Sequence, residues 1–277
     1  KAIFRKYLKS VFGDNCIGNI YSKSDEYSIT GTGEDNRILF EIIETGESAG
    51  IKQENPLPFN DATFIESPAL INSSKSILAS KTVFDVDEDI KKKVELLEKP
   101  YAPVYMKDLI LKLTEYPAES EPSPIIDGIR EIIQGDFYYD HNERDFIYKS
   151  GNKTFKSLSI ASGINYLGMI IILLKNGFLN KKSLIILDEP ETNMHPDWQV
   201  RFAEVLVRLI KEGNSILLTS HSPYFIEALQ LYADKILEKD KISFYFSHKS
   251  PGEMASHIDD VTFDLSPIFD ILAKPFG

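Results

Sequence analysis

The chain of 277 residues is long enough to bury a substantial core in one large domain or two modest ones. Hydrophobic residues make up 43% of it and aromatic residues 11%, which is typical of a globular protein and excludes a disordered one. The net charge of −11 argues against a surface that binds nucleic acid throughout, although a local basic face is compatible with it.

The cysteine content and the apolar runs bear on where the protein works. A single cysteine, Cys16, leaves no partner for an internal disulfide, which favours a reducing, cytoplasmic location. The most apolar stretch, residues 167–174, is too short to span a bilayer. We therefore predict no contact with a membrane.

The N-terminal half combines a β-rich part with a helical part. Residues 1–12 have apolar side chains at helical spacing, and Gly13 ends this predicted helix. The short runs CIGNIY, RILFEIIET and DATFIES predict a small, largely antiparallel sheet over residues 17–66. Residues 85–135 predict a helical lobe, with one helix near its start, one around residues 104–116 and one that ends at Gly135.

The remaining residues, 136–277, carry an α/β pattern. DFYYD and DFIYKSGNKTFK predict the strands of a hairpin region, with SGNK as a turn. A long helix, the apolar strand SLIIL, an amphipathic helix, the strand SILLTS and another helix opened by Ser222 then follow, with KISFYFSH as a last strand. This alternation predicts a parallel sheet whose ligand lies beyond the C-terminal ends of the strands.

Two carboxylates follow the first of these buried strands. Asp188 and Glu189 stand side by side, and Pro190 turns the chain away. Nucleotide hydrolases place an aspartate at such a strand end to hold Mg²⁺, and a neighbouring carboxylate can accept a proton from water. Taken alone, the pair is more often a solvated strand end.

Two further motifs lie near the predicted ligand. His221 follows the second strand in LLTSHSP, where an imidazole can donate to a terminal phosphate, although a structural histidine is the commoner finding. Ser162 and Gly163 open a long helix, whose free N–H groups and dipole suit a phosphate. By itself this second motif is an ordinary helix start.

In their order and spacing, IASGIN, SLIILDEPETNMHP and ILLTSHSP resemble the C-terminal half of ABC-type ATPase heads. The resemblance is strongest to the SMC-like, RecF-like and OLD-like AAA-family ATPases of DNA repair and phage defence, and it covers about residues 156–230. It implies the α/β P-loop NTPase fold: a mainly parallel sheet flanked by helices, with an antiparallel N-terminal β region and a helical lobe. We expect a single head domain over 1–277, with a β-rich part over 1–84.

The resemblance implies a role for each matching residue. Asp188 would be the Walker B aspartate that holds Mg²⁺ through water, Glu189 the general base, and His221 the switch histidine that senses the γ-phosphate. The residues of the signature motif would lie near the ATP bound to the other subunit: Ser162, Gly163 and Asn165. Two residues of the D-loop region would lie near the partner subunit: Asn193 and His195. Because two subunits sandwich two nucleotides in such heads, a homodimer is implied.

The sequence departs from the family pattern at two places. Ala161 stands where the signature motif usually has serine, with Ser162 next to it. No G-x-x-x-x-G-K-[ST] phosphate loop is found, and neither GTGEDN at 31–36 nor SGNKT at 150–154 is one. Since residues 1–12 resemble the helix that follows this loop in the family, we expect a strand and the loop to precede Lys1.

Three functions are compatible with these observations. The leading one is a head that binds ATP, hydrolyses it with Mg²⁺ and drives a nucleic-acid-related or phage-defence complex. The alternative is a non-hydrolysing ABC-like scaffold whose partner carries the activity, which Ala161 and the missing phosphate loop favour. A metal-dependent nuclease or phosphatase using Asp188, Glu189 and His195 has only the acid cluster in its favour.

The partners remain open at this level. OLD-like proteins carry a nuclease domain after the switch histidine, and residues 224–277 leave no room for one. A nuclease-like effector is therefore expected as a separate subunit. Contact with DNA or RNA is possible through basic residues, but the basic runs are short and the chain is acidic.

Overall fold

The fold is taken from a computed structural model of the chain. It describes residues 27–32, 38–45 and 48–53 (backbone only), 60–80, 102–118, 123–192, 194–238, 241–249 and 257–273. The helices predicted over 1–12 and near residue 85, as well as Cys16 and Asn193, lie outside these residues. The chain divides into two compact units, Lys1–Phe64 with Leu70–Glu115 and Ile65–Ala69 with Tyr116–Gly277.

The first unit contains an antiparallel sheet of three strands. Its order is β1-β2-β3, with β1 at Tyr27–Thr32, β2 at Ile38–Thr45 and β3 at Ser48–Gln53. Ile42 of β2 lies opposite Ile29 on one side and Ile51 on the other. Alternating β-branched residues suit such pairing, and the antiparallel sheet predicted for RILFEIIET is confirmed. The run CIGNIY lies outside the described residues, and DATFIES, predicted in the same region, does not belong to this sheet.

Strand β4 and two helices follow in chain order, with a 3₁₀ turn at Pro68–Ser73 between the strand and the first helix: β4 (Asp61–Ile65), α1 (Ser74–Ala79) and α2 (Val104–Thr114). The buried residues of α2 are Lys112 and three apolar ones, Leu109, Ile110 and Leu113. Its ammonium lies 2.8 Å from the carboxylates of both Asp61 and Asp108 and donates to Thr63 Oγ1 at 3.1 Å. These partners offset the cost of burying the charge.

The second unit begins with a helix, a three-stranded antiparallel hairpin sheet and a long helix: α3 (Pro124–Ile133), β5 (Asp136–Asp140), β6 (Asp145–Ser150), β7 (Lys153–Lys156) and α4 (Ser162–Lys175). Ser150 pairs with Lys153 across the predicted SGNK turn, which is confirmed. Helix α3 ends at Ile133, and its left-handed cap is Gln134 (φ 54°), directly before the Gly135 at which the end was predicted. Glycine is still needed there, because an added Cβ would lie 2.4 Å from Lys149 O.

A parallel pair of strands and two helices form the next part: β8 (Ser183–Asp188), α5 (Pro196–Lys211), β9 (Ser215–Thr219) and α6 (Pro223–Ile236). The register places Ile185 opposite Ile216 and ends both strands at the same edge, with Asp188 opposite Thr219. Phe202 of α5 is fully buried and stacks on Phe225 of α6, with ring centroids 5.8 Å apart. The predicted α/β class with a parallel sheet is confirmed.

The last elements are a hairpin and a helix: β10 (Tyr245–His248), β11 (His257–Asp260) and α7 (Ser266–Ala273). Strand β10 was predicted from the sequence, whereas β11 and α7 were not. The start of α7 has the same Ser-Pro pair as the start of α6, at Ser266 and Pro267. Ile226 of α6 packs with Leu265 and Ile268 in a small core. Within the described ranges, no helix is both long and apolar enough to cross a membrane.

Candidate functional site

The candidate site lies where the parallel strands β8 and β9 end. The hydroxyl of Thr219 donates to Asp188 Oδ1 at 2.6 Å and accepts from the backbone N–H of Glu189 at 3.2 Å. One side chain therefore orients both acidic residues. Carboxylate and hydroxyl oxygens are the ligands that Mg²⁺ takes, and the ion needs only one or two protein carboxylates beside phosphates and water.

Glu189 and His221 contact each other beside Asp188. His221 Nε2 lies 3.0 Å from Glu189 Oε1, and the two side chains are 80% and 45% exposed. The exposure leaves room for a ligand at both groups. The backbone of Glu189 is left-handed (φ 42°), which is uncommon for a residue other than glycine and more so before a proline. Such strain persists where the surrounding structure imposes it, often at functional sites.

The segment that carries His221 rests on a buried carboxylate that the sequence analysis missed. Glu191 is only 4% exposed. Its Oε1 accepts from Ser220 Oγ at 2.5 Å, from His221 N at 3.1 Å and from Ser222 N at 3.3 Å. Glu191 stands in the PETNMHP stretch already quoted, but no local pattern shows that it would meet residues about 30 positions later.

Gln199 of α5 makes a second connection to the same segment. Its Nε2 donates to Met194 O at 3.1 Å, and its Oε1 accepts from Ser222 Oγ at 2.5 Å. Ser222 Oγ also accepts from Phe225 N at 3.3 Å, so the predicted cap of α6 is confirmed. The side chains of Glu191 and Gln199 therefore both bind the segment 220–222.

Tyr166 shows the electrostatic character of this region. It is 2% exposed, and its hydroxyl donates to Ile65 O at 3.5 Å. Burial raises the pKa of Tyr166 well above its ordinary value, and the negative charges of Glu191 and then Asp188 raise it further. The phenol therefore stays neutral beside these two carboxylates.

The residues predicted from the signature motif lie at the start of α4. Ser162 is half-buried and follows Ala161, which caps the helix without a side-chain hydrogen bond. Gly163 is buried, and an added Cβ would meet Met194 Cγ and Trp198 Cε3 at 3.4 Å. Asn165 is 2% exposed and donates to Ser157 O at 3.4 Å.

The structure thus brings together only part of the predicted site. Asp188, Glu189 and His221 converge at one edge, whereas within the described part of the chain no hydrogen bond or ion pair joins them to the start of α4. The side of Gly163 from which a Cβ would project is filled by the chain itself. The roles of Ser162, Gly163 and Asn165 in nucleotide binding stay predictions.

His195 has a structural role in this conformation. It caps α5, with its Nδ1 accepting from Asp197 N at 3.3 Å. Among the residues that the structure describes, no group of three or more His, Cys, Asp and Glu side chains is arranged to hold a metal ion. The nuclease or phosphatase alternative, which used His195 with the two acids, therefore gains no support.

Comparison with known proteins gives one family model and several structural matches. The model described as "AAA domain, putative AbiEii toxin, Type IV TA system" matches residues 164–227, which include β8, β9 and His221. A search by sequence among curated proteins finds no match. The structural matches include several SMC head domains.

Three of these structures show the range of similarity. An SMC head bound to the C-terminal winged-helix domain of ScpA is 10% identical, with a TM-score of 0.51 over 96% of this chain and 86% of that chain. An SMC head from Pyrococcus furiosus, with an extended coiled coil and bound to the C-terminal domain of ScpA, has 10% identity and a TM-score of 0.49 over 100% and 89%. For an SMC head with coiled coil and joint from Pyrococcus yayanosii the values are 10% and 0.41, and the match spans 62% of this chain and 31% of that chain.

The fold and the site together define a class of protein. The chain has the P-loop NTPase fold of SMC ATPase heads, because the match with a TM-score of 0.51 covers 96% of it. The family model adds the AAA class over the segment that carries Asp188, Glu189 and His221. The predicted resemblance to ABC-type ATPase heads of the SMC- and RecF-like AAA class is therefore confirmed as a resemblance.

Proposed function

We propose that the chain binds ATP, hydrolyses it with Mg²⁺ and dimerises around the nucleotide. The observation that supports this most is the convergence of three predicted residues at one sheet edge. His221 Nε2 lies 3.0 Å from Glu189 Oε1, and Asp188 stands next to Glu189 at the end of β8. Ligands of open α/β sheets bind at this edge.

Asp188 is proposed to hold Mg²⁺, either directly or through water. Its carboxylate is exposed, and Thr219 orients it through one oxygen, Oδ1. At nucleotide sites Mg²⁺ takes most of its ligands from phosphates and water, so one carboxylate at this edge is sufficient. When bound, the ion would neutralise negative charge that develops on the phosphates.

Glu189 is proposed as the general base. Its carboxylate is exposed enough to receive an attacking water, and Thr192 Oγ1 contacts Oε2 at 3.4 Å. His221 contacts the other oxygen of the same carboxylate, so the imidazole and the base are already arranged as a pair. The imidazole would donate to the terminal phosphate in place of Glu189.

The dimer and the wider complex follow from the resemblance. We propose that Ser162, Gly163 and Asn165 act on the nucleotide held by a second copy, with His195 near that copy. The family model is described as a putative toxin of a type IV TA system, and SMC heads are found bound to ScpA; both make a separate protein partner reasonable. A phage-defence setting is proposed from the resemblance alone. A nuclease-like effector and a nucleic acid are candidate members of that complex.

The test is ATP turnover by the full-length protein and its Glu189→Gln variant. We expect the variant to bind ATP as the wild type does, to lose about 100-fold to 10,000-fold in turnover, and to accumulate as an ATP-bound dimer in light scattering. Glu212→Gln is the matched control, because Glu212 is an exposed glutamate at the C-terminal end of α5.

Two results would contradict the proposal at different points. Full turnover by Glu189→Gln would remove Glu189 as the base while leaving the ATPase assignment intact. A full-length wild type that binds no ATP would favour the non-hydrolysing scaffold instead.

A further inference from the structure

The buried carboxylate of Glu191 contacts three consecutive residues through a single oxygen. Ser220 Oγ, His221 N and Ser222 N all donate to Oε1. Two of these donors are backbone groups, one of them belonging to His221 itself. The contact therefore determines where the backbone of His221 lies, without touching its imidazole.

The other oxygen of Glu191, Oε2, makes no such contacts within the described residues. Oε2 is buried and has no hydrogen-bond partner within the described part of the chain. Burying a carboxylate with one oxygen unpaired is costly, and a residue kept for stability alone would gain more from an apolar side chain. The contribution of Glu191 that the contacts show is the position that Oε1 imposes on residues 220–222.

The Gln199 contact acts on the same segment from another element. Because Ser222 Oγ donates to Gln199 Oε1, the residue after His221 is attached to α5 as well as to Glu191. Gln199 also donates to Met194 O, so the same side chain connects the segment to Met194. Glu191 provides the larger share of this support, since it binds at three points.

We propose that Glu191 is a positioning residue for His221. Through Oε1 it holds residues 220–222 so that the imidazole stays beside Glu189, and Gln199 supports it through Ser222. The inference rests on the proposed roles of Glu189 and His221 in ATP hydrolysis. On this proposal, Glu191 acts through the length of its side chain, which places Oε1 near the three donors, and not through its negative charge.

Two conservative variants of the full-length protein distinguish the effect of side-chain length at position 191 from the effect of its charge. Glu191→Gln keeps the side-chain length and can place an amide oxygen where Oε1 lies. Glu191→Asp keeps the charge but is one methylene too short to reach the three donors. Glu212→Asp is the matched control for shortening an exposed glutamate.

We expect kcat for ATP to fall at least about tenfold in Glu191→Asp, since small misplacements of catalytic groups have effects of this size. The KM and the Kd for ATP should stay within about twofold, and Glu191→Gln should restore kcat to within about threefold. Wild-type kcat in a folded Glu191→Asp, or an equal loss in both variants, would overturn the proposal.

A second readout does not depend on hydrolysis. In protein labelled with ¹³C-histidine, the His221 Hε1 signal should move in Glu191→Asp toward its position in Glu189→Gln, and should stay in place in Glu191→Gln. An unmoved signal in Glu191→Asp would contradict the positioning role. If the wild type hydrolyses no ATP, the proposed function fails while this signal still tests Glu191.

Should Glu191→Asp fail to fold, Ser220→Ala removes the shortest contact and leaves the carboxylate in place. We expect this variant to lower kcat with an unchanged Kd for ATP and to shift the same His221 signal. Ser220→Ala with wild-type kcat and an unmoved signal would refute the role of Oε1.

Discussion

Replacing Gly168 by alanine should destabilise the protein, although the same change stabilises most helices. Gly168 lies inside α4, and an added Cβ would lie 2.3 Å from Cγ and 2.5 Å from Cδ1 of Phe137. Phe137 is fully buried on β5, so its ring cannot move aside to make room for the added Cβ. Overpacking costs about 1–3 kcal/mol, and better helix propensity returns about 1 kcal/mol. At contacts this short we expect a net loss of about 2 kcal/mol.

Gly128→Ala is the matched control, because no heavy atom lies within 4 Å of a Cβ added at this position of α3. It should stabilise the protein by about 0.5–1 kcal/mol. Urea unfolding followed by circular dichroism gives the free energy of unfolding for both variants. If Gly168→Ala proves as stable as the wild type, Phe137 must yield more readily than its burial indicates, and the packing argument is wrong.

Two further predictions concern the site edge and the response to acid. Thr219→Val should lower ATP turnover by about tenfold in a steady-state assay, because it leaves Asp188 and Glu189 without their shared partner. The control is Thr154→Val on the exposed strand β7, which should leave turnover unchanged. Equal effects of the two substitutions would contradict the role of Thr219. Asp136→Asn should make unfolding less sensitive to acid. Burial raises the pKa of Asp136, but hydrogen bonds from Arg130 and Lys175 outweigh it and hold the pKa below 3.8. The stabilisation is therefore present above that value and lost as the pH falls through the lowered pKa. The urea midpoints measured at about pH 6 and about pH 3 should differ less in the variant than in the wild type.

Elements that depend on local pattern could be predicted from the sequence. The strand β8 was predicted from an apolar run before two acids, and α6 from Ser222 and Pro223 at its start. The convergence of Asp188 and His221 followed from the expectation that parallel strands end at one edge. The structure confirms that the two strands are parallel.

The contacts that organise this edge could not be predicted in the same way. Thr219 meets Asp188 only because the register of β8 and β9 pairs them, and register across 31 residues has no local signature. Glu191 looked like one more turn residue, whereas it is buried under three donors from residues 220–222. No sequence pattern predicts that Asn165 is buried and donates a hydrogen bond to the carbonyl oxygen of Ser157.

The backbone of Glu189 has an evolutionary consequence. Its φ of 42° is a conformation that glycine adopts freely and that costs other residues about 1 kcal/mol. Substitution by glycine therefore offers added stability at the position where loss of the carboxylate ends the proposed hydrolysis. Selection for turnover must continually oppose this gain. In a lineage released from that selection, glycine should spread at this position early, and such chains would be recognisable as heads that bind without hydrolysing.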